Sequence, residues 1–351
     1  MAVTLKPLAQ QTIVITGASS GIGLATARRA ARAGAAVVLA ARNEDNLREA
    51  VEDIRRQGGR AAYCVADLAD AGAAEAIGAV ADAEFGGFDT WVNDAAAAMY
   101  ARLEETDDAE HRQVFEVGYF GTVRASLYAV KRLKTQGGAL INVGSILSDI
   151  AIPVQGAYCA MKHAVKSFTQ TLRVETEMDG GHMAITLVKP AGINTPYPEH
   201  ARNKMGSPAR IPPILYDPEL VAKAILHCAV TKRSEITVGG EGVLMTTLGQ
   251  LFPRLSERIM ELGFAEPAQS TDTPPEPGTE DNLFVAREDG RERSNQPVFT
   301  RKTSLALEAQ MHPLATLALA GAGVAAAFAL SRPSKAGKRQ ADIRKPMRRT
   351  G

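Results

Sequence analysis

The chain has 351 residues, 45% hydrophobic and 23% charged, a globular composition that excludes a disordered, collagen-like or multi-span membrane protein. Forty Lys and Arg against 39 Asp and Glu leave a net charge of +1, which predicts no nucleic-acid partner. That balance is uneven: residues 331–351 hold eight basic residues and one acid, Asp342, so the body before them is acidic.

Met1–Gln10 lacks the apolar core of a secretory signal, which predicts a cytoplasmic location. Short runs rich in Val and Ile then alternate with Ala-rich stretches. Ile13–Thr16, Val37–Ala40, Ala61–Val65, Thr90–Val92, Ala139–Val143, Ala184–Val188 and Ile236–Val238 read as strands. They are apolar on both faces, as strands covered by helices on both sides must be. Helical patterns lie between them: Gly23–Ala33, Asn46–Gln57, Ala73–Phe85, Ala109–Lys134, Tyr158–Met178 and Pro218–Ala229. The alternation predicts an α/β fold, a doubly wound parallel sheet of about seven strands. Asn194–Pro218, with six prolines, reads as a long, partly ordered loop, of a length that is usually functional or disordered. Val243–Leu262 reads as one more helix, Pro267–Gly278 with four prolines as a linker, and Asn282–Met311 as polar and weakly patterned. Trp91, on a central strand, is expected in the core. Cys64, Cys159 and Cys228 are widely spaced. They suit a reducing compartment and, like the scattered histidines, have no metal-ligand spacing.

The first strand runs into Thr16-Gly17-Ala18-Ser19-Ser20-Gly21-Ile22-Gly23 and then a helix. Glycines at 17, 21 and 23 permit a tight turn and let a pyrophosphate approach the backbone, where the helix N-terminus offers unpaired N–H groups and a positive dipole end. At the end of the second strand, Ala40-Ala41-Arg42-Asn43 has no acid to take a ribose 2′-hydroxyl. Arg42 can instead pair with a 2′-phosphate, which predicts NADP(H) over NAD(H). Asp67, after the third strand, reads either as an acceptor for the adenine amino group or as a helix N-cap.

Tyr158 and Lys162 are four apart and share one face of a helix, and Ser145 follows the strand Ala139–Val143. A tyrosine near its ordinary pKa of ~10 is a poor base at neutral pH, and an adjacent ammonium favours its phenolate. A serine hydroxyl can hold a substrate oxygen as charge develops on it. The three suit the interconversion of a carbonyl and an alcohol.

Together TGASSGIG, LINVGS, YCAMK and LVKPAGINTP resemble the classical short-chain dehydrogenase/reductase family over about residues 8–240. The resemblance implies a Rossmann-type core with Tyr158 as general acid/base, Lys162 lowering its pKa and holding the nicotinamide ribose, and Ser145 orienting the carbonyl. It places Gly17, Ser19, Ser20, Gly21, Ile22, Arg42, Asp67, Asn93, Ala95, Pro190, Gly192, Ile193 and Thr195 along the cofactor. It implies a small-molecule carbonyl or alcohol substrate, held by the loop 194–218, and a homo-oligomer. Two positions depart from the family pattern: Asp94 stands for a second asparagine, and Gly118 for an asparagine whose backbone carbonyl carries a proton-relay water. Gly118 is expected either to keep that relay or to be a close-packing residue. The departures leave open a catalytically inactive cofactor-binding scaffold or sensor, and the fold itself leaves open an epimerase or lyase. Leu147, Ile150, Ile152, Pro153 and Tyr197 are expected to form an apolar substrate pocket.

The expected organisation is a catalytic domain over 1–263, a linker and weakly structured extension over 264–311, and an apolar helix with a basic tail over 312–351. As a helix, Leu314–Leu330 would be about 25 Å long, slightly short of a ~30 Å hydrocarbon core. Three readings stay open: a peripheral or re-entrant helix aided by an anionic membrane surface, an Ala-rich helix that packs on protein, or a full span.

Overall fold

The computed structural model describes residues 3, 5–279, 281–287, 290–318 and 321. The seven apolar runs become β1 (Thr12–Thr16), β2 (Ala36–Ala41), β3 (Arg60–Val65), β4 (Thr90–Asn93), β5 (Gly138–Val143), β6 (Met183–Pro190) and β7 (Glu235–Val238). They form one parallel sheet in the order β7-β6-β5-β4-β1-β2-β3. Strand succession reverses direction between β1 and β4, and a crevice opens beyond the strand C-termini at such a switch point. Helices α1 (Gly21–Arg32), α2 (Glu44–Arg56) and α3 (Ala73–Phe85) follow the first three strands. Trp91 on β4 is fully buried, 5.1 Å from the Phe88 ring centroid in an edge-on contact.

The helix expected over 109–134 is two helices, α4 (Asp108–Phe115) and α5 (Gly121–Gln136), joined by a π-helical turn over Glu116–Phe120. A Cβ at Gly118 would lie 2.7 Å from Met161 Cε and one at Gly121 2.8 Å from Leu68 Cβ, so the backbone passes neighbours closely here. Asp107 caps α4 by accepting the Glu110 N–H at 2.9 Å. α6 (Gly156–Met178) and α7 (Pro218–Val230) precede and follow β6. The single helix expected over 243–262 is broken into α8 (Gly240–Leu251) and α9 (Pro253–Gly263). Phe252, at φ −137° and ψ 67°, has left helical geometry, as a residue preceding proline is pushed to do.

The linker and weakly structured extension expected over 264–311 is placed differently. Met1–Leu307 is a single compact unit, and Gln269, Leu283, Gln296 and Ser304 are buried within it. Thr300–Arg301 pairs with Leu215–Tyr216, and Met99–Tyr100 with Arg202–Asn203, so the proline-rich loop is pinned at two places. Of the second unit, Glu308–Gly351, residues 319–320 and 322–330 of the apolar run and the whole basic tail lie outside the described residues. Among the described residues no helix is long and apolar enough to cross a membrane.

Candidate active site

Between β1 and α1 the glycine turn is built by close approach. Gly17 has φ 70°, and a Cβ there would fall 2.8 Å from Ala95 Cα; at Gly23 it would fall 2.3 Å from the Gly17 carbonyl oxygen. Only glycine fits such contacts. The turn opens onto a cleft of about 380 Å³ lined by Gly17, Ser19, Ser20, Gly21, Ile22, Arg42, Asp67, Ala95, Pro190, Gly192, Ile193 and Thr195. Asp67 accepts the Ala69 N–H at 2.9 Å, a local turn contact, and lies 3.7 Å from Arg42 Nη1. Asn93 is the exception. Its side chain turns into the interior, bonded to Trp91 (2.8 Å), Ser126 (3.0 Å) and Asn142 (2.9 Å), because the β4 pleat directs it away from the cleft.

Ser145, Tyr158 and Lys162 line the opposite wall. The Leu147 N–H donates to Ser145 Oγ at 3.0 Å, which leaves the hydroxyl hydrogen able to point elsewhere. The Ser145 hydroxyl lies close enough to Tyr158 to favour the ionised phenol. Lys162 Nζ lies 5.6 Å from the Tyr158 ring centroid and donates to the Val143 carbonyl at 2.7 Å. The fall in the phenol's pKa expected from Lys162 is not found: burial, with the neighbouring Cys159 and Asp94, pushes Tyr158 above its ordinary value, and Ser145 opposes. The phenol therefore keeps its proton at neutral pH and is poised to donate it. Burial lowers Lys162 to about 8, with Asp94 opposing, and raises Asp94 to about 7, with Lys162 and the Gly23 N–H opposing.

Asp94 thus places a second titrating group in the cleft, where the family pattern has an amide. At Gly118 the carbonyl accepts the Thr122 hydroxyl at 2.8 Å, and the Met161 side chain fills the space beside its Cα. These contacts fit the close-packing reading of Gly118. His163 bonds back to the Cys159 carbonyl at 2.8 Å, a helix-packing role.

The apolar end of the cleft includes Leu147, Ile152, Tyr197, Met245 and Phe264. Ile150 instead packs with Cys159 and Met260, and Pro153 is exposed. Tyr197 stacks edge-on against Tyr158 at 5.5 Å and donates to Gln155 Oε1 at 2.9 Å. Gln155 in turn donates to Gln269 at 2.7 Å, so the far C-terminal segment braces this wall. Ile214, with φ 78°, also lines it. A β-branched residue there is strained. Sequence reading missed Asn282, Ala286 and Arg287, which line the cleft from the segment expected as weakly structured. Polarity was their one sequence signal, and it does not distinguish an anchored strand of chain from a free one.

The family model for short chain dehydrogenases matches residues 11–206. The chain is 37% identical to an uncharacterized oxidoreductase, YxnA, of Bacillus subtilis (strain 168) over 328 residues, covering 93% of this chain and 92% of that protein. It is 32% identical to a 3beta-hydroxysteroid dehydrogenase of Mediterraneibacter gnavus, over 55% of this chain and 69% of that one. Among solved structures it resembles an alcohol dehydrogenase of the archaeon Thermococcus sibiricus complexed with 5-hydroxy-NADP. That match has a TM-score of 0.57 and 27% identity, and covers 65% of this chain and 95% of that one.

Proposed function

The chain belongs to the short-chain dehydrogenase family, and on that premise we propose that it interconverts a carbonyl and a secondary alcohol with NADP(H). One observation carries the reading: Ser145, Tyr158 and Lys162 come together on one wall of a cleft that also contains the glycine turn. In the reductive direction Tyr158 gives its proton to the carbonyl oxygen. Ser145 donates a hydrogen bond to the same oxygen as negative charge grows there. Lys162, fixed by the Val143 carbonyl, stands beside the phenol and titrates close enough to neutrality to return a proton to it. A bound nicotinamide supplies or accepts the hydride.

The preference for NADP(H) rests on Arg42. Its Nη1 is buried without a hydrogen-bond partner, with the Asp67 carboxylate 3.7 Å away, and neither of the first two residues after β2, Arg42 and Asn43, is an acid. A 2′-phosphate would satisfy that donor, with the ion-pair geometry that guanidinium groups favour. The NADP derivative in the Thermococcus sibiricus enzyme supports the same choice. The apolar walls around Tyr197 and Phe264 favour a substrate with an apolar body, and the hydroxysteroid dehydrogenase relative acts on a compound of that kind.

The test is nicotinamide absorbance with a panel of ketones and aldehydes, run with NADPH and NADH side by side. Wild-type protein is expected to turn over with NADPH preferred. Tyr158→Phe is expected to lose about 10²–10⁴-fold in kcat with dinucleotide affinity retained. Full activity in Tyr158→Phe moves the chemistry elsewhere, and equal or better use of NADH removes the role given to Arg42.

A further inference from the structure

The cleft has an outer wall that the family model, ending at residue 206, does not contain. Asn282, Ala286 and Arg287 line the cleft, and the stretches 281–287 and 290–296 that carry and follow them are pinned at both ends. At the near end, Asp281 accepts from Arg202 at 2.8 Å and Gln113 donates to the Leu283 carbonyl at 3.1 Å. Leu283 itself is 0% exposed, packed in a cluster with Met99, Val114 and Met161. At the far end, Arg293 grips Asp217 through two bonds of 3.0 and 2.9 Å. Glu292 pairs with Arg28 of α1 at 2.8 Å. Between these anchors the Arg291 carbonyl accepts the Gly21 N–H at 2.9 Å, a bond to the glycine turn itself.

The near part of this wall meets Arg42, the residue assigned to the dinucleotide. Arg42 Nη2 donates to the Asn282 carbonyl, and both residues line the cleft. Each carries a buried polar atom with no hydrogen-bond partner: a donor, Arg42 Nη1, and an acceptor, Asn282 Oδ1. Buried polar atoms are rarely left unmatched, because each one costs free energy until a partner arrives. A phosphorylated ribose carrying adenine answers both needs at once. Its phosphate oxygens accept from the arginine, and a ribose hydroxyl or the adenine amino group donates to the amide oxygen.

We propose that this C-terminal wall is part of the dinucleotide site and that Asn282 contacts the adenosine end of the cofactor directly. The proposal rests on the reading of the cleft as a dinucleotide site and adds to it a contact residue far outside the glycine turn. The wall also sets specificity, because the Asn282 carbonyl orients the guanidinium that distinguishes a 2′-phosphate from a 2′-hydroxyl.

The experiment is calorimetric titration of the full-length chain with 2′,5′-ADP and 5′-AMP, which carry that end of the cofactor alone, and with NADPH and NADH. Asn282→Ala keeps the backbone carbonyl that holds Arg42 and is expected to weaken 2′,5′-ADP about fivefold or more, the effect of one lost hydrogen bond. Asn282→Asp places a negative charge beside the phosphate and is expected to weaken 2′,5′-ADP more than it weakens 5′-AMP. Thermal melting of both variants checks that the fold is intact. If both fold like wild type and bind every probe within twofold of it, Asn282 only packs and the proposal falls, with the dinucleotide reading untouched. If wild-type protein binds 5′-AMP as well as 2′,5′-ADP and Asn282→Ala weakens both, the contact stands and the NADP preference falls. If wild-type protein binds no probe, the dinucleotide reading and this proposal fall together.

Discussion

The parallel sheet and the segment 264–307 are both parts of one compact unit, yet the sheet rests on apolar burial throughout, whereas the segment adds to its buried Leu283 and Leu307 a set of polar anchors. In the sheet, Ile13, Leu39 and Leu140 are 0% exposed and contribute through apolar area alone, at roughly 1.5–3 kcal/mol for each fully buried side chain. The C-terminal segment attaches through Gln269, Arg293, Ser294 and Gln296, whose partners are particular oxygens on Pro153, Asp217, Asn194 and Ala209. Apolar burial is non-directional and forgiving of small shifts. A polar anchor works only at one distance and angle, and each contributes about 1 kcal/mol net. One region is therefore robust and repetitive, the other specific and individually weak.

Breaking the sheet should cost most. Trp91→Ala removes a fully buried ring and strands the Asn93 amide oxygen that its Nε1 satisfies. A loss of about 3–5 kcal/mol is expected, read as a lowered midpoint in urea denaturation. In the extension, Arg293→Ala leaves Asp217 without its two-bond partner. Because Arg293 is itself half-exposed, a cost of about 1–2 kcal/mol is expected, between the exposed and buried limits for such pairs. Hydrogen exchange should show the loss of protection confined to residues 290–301 while the β1 and β4 amides stay protected. If Arg293→Ala weakened the whole molecule as much as Trp91→Ala, the two regions would be one cooperative unit and the contrast would be lost.

A third effect, read through pH, sharpens the contrast beside the C-terminal end of β4. Asp94 is a polar group on the sheet side of the cleft, and burial raises its carboxyl to about 7. The native chain then holds a proton that the unfolded chain has released, so this group makes stability fall as pH rises from the ordinary aspartate range to about 7. Asp94→Asn removes that slope. The difference in stability between the variant and wild type should move in the variant's favour between pH 5 and pH 7, measured by denaturation at each pH. A constant difference would place Asp94 in water.

These contrasts also explain what could be read from residues alone. The seven strands were legible because β2 and its neighbours are apolar in unbroken runs, a pattern only a doubly covered strand needs. Tyr158 and Lys162 were legible because one helical turn fixes their common face, and the glycine turn because no other residue fits its contacts. Asn93 was misplaced because strand spacing gives position along the chain, while the face depends on register with the sheet. The break at Gly118 follows from closeness to Met161, a tertiary fact. Asn282 was invisible for the reason that makes its segment specific: a polar side chain matched to one distant partner leaves no periodicity.

The pairing of Arg28 with Glu292 joins positions 264 residues apart. Proteins are made from the N-terminus at about 5–20 residues per second, so the glycine turn emerges tens of seconds or so before the wall that will cover it is synthesised. Through most of translation the nascent protein carries its glycine turn uncovered. Stop codons or frameshifts shortly before residue 281 would leave all seven strands and the Ser145, Tyr158 and Lys162 side chains encoded, yet release a chain whose cleft lacks its outer wall.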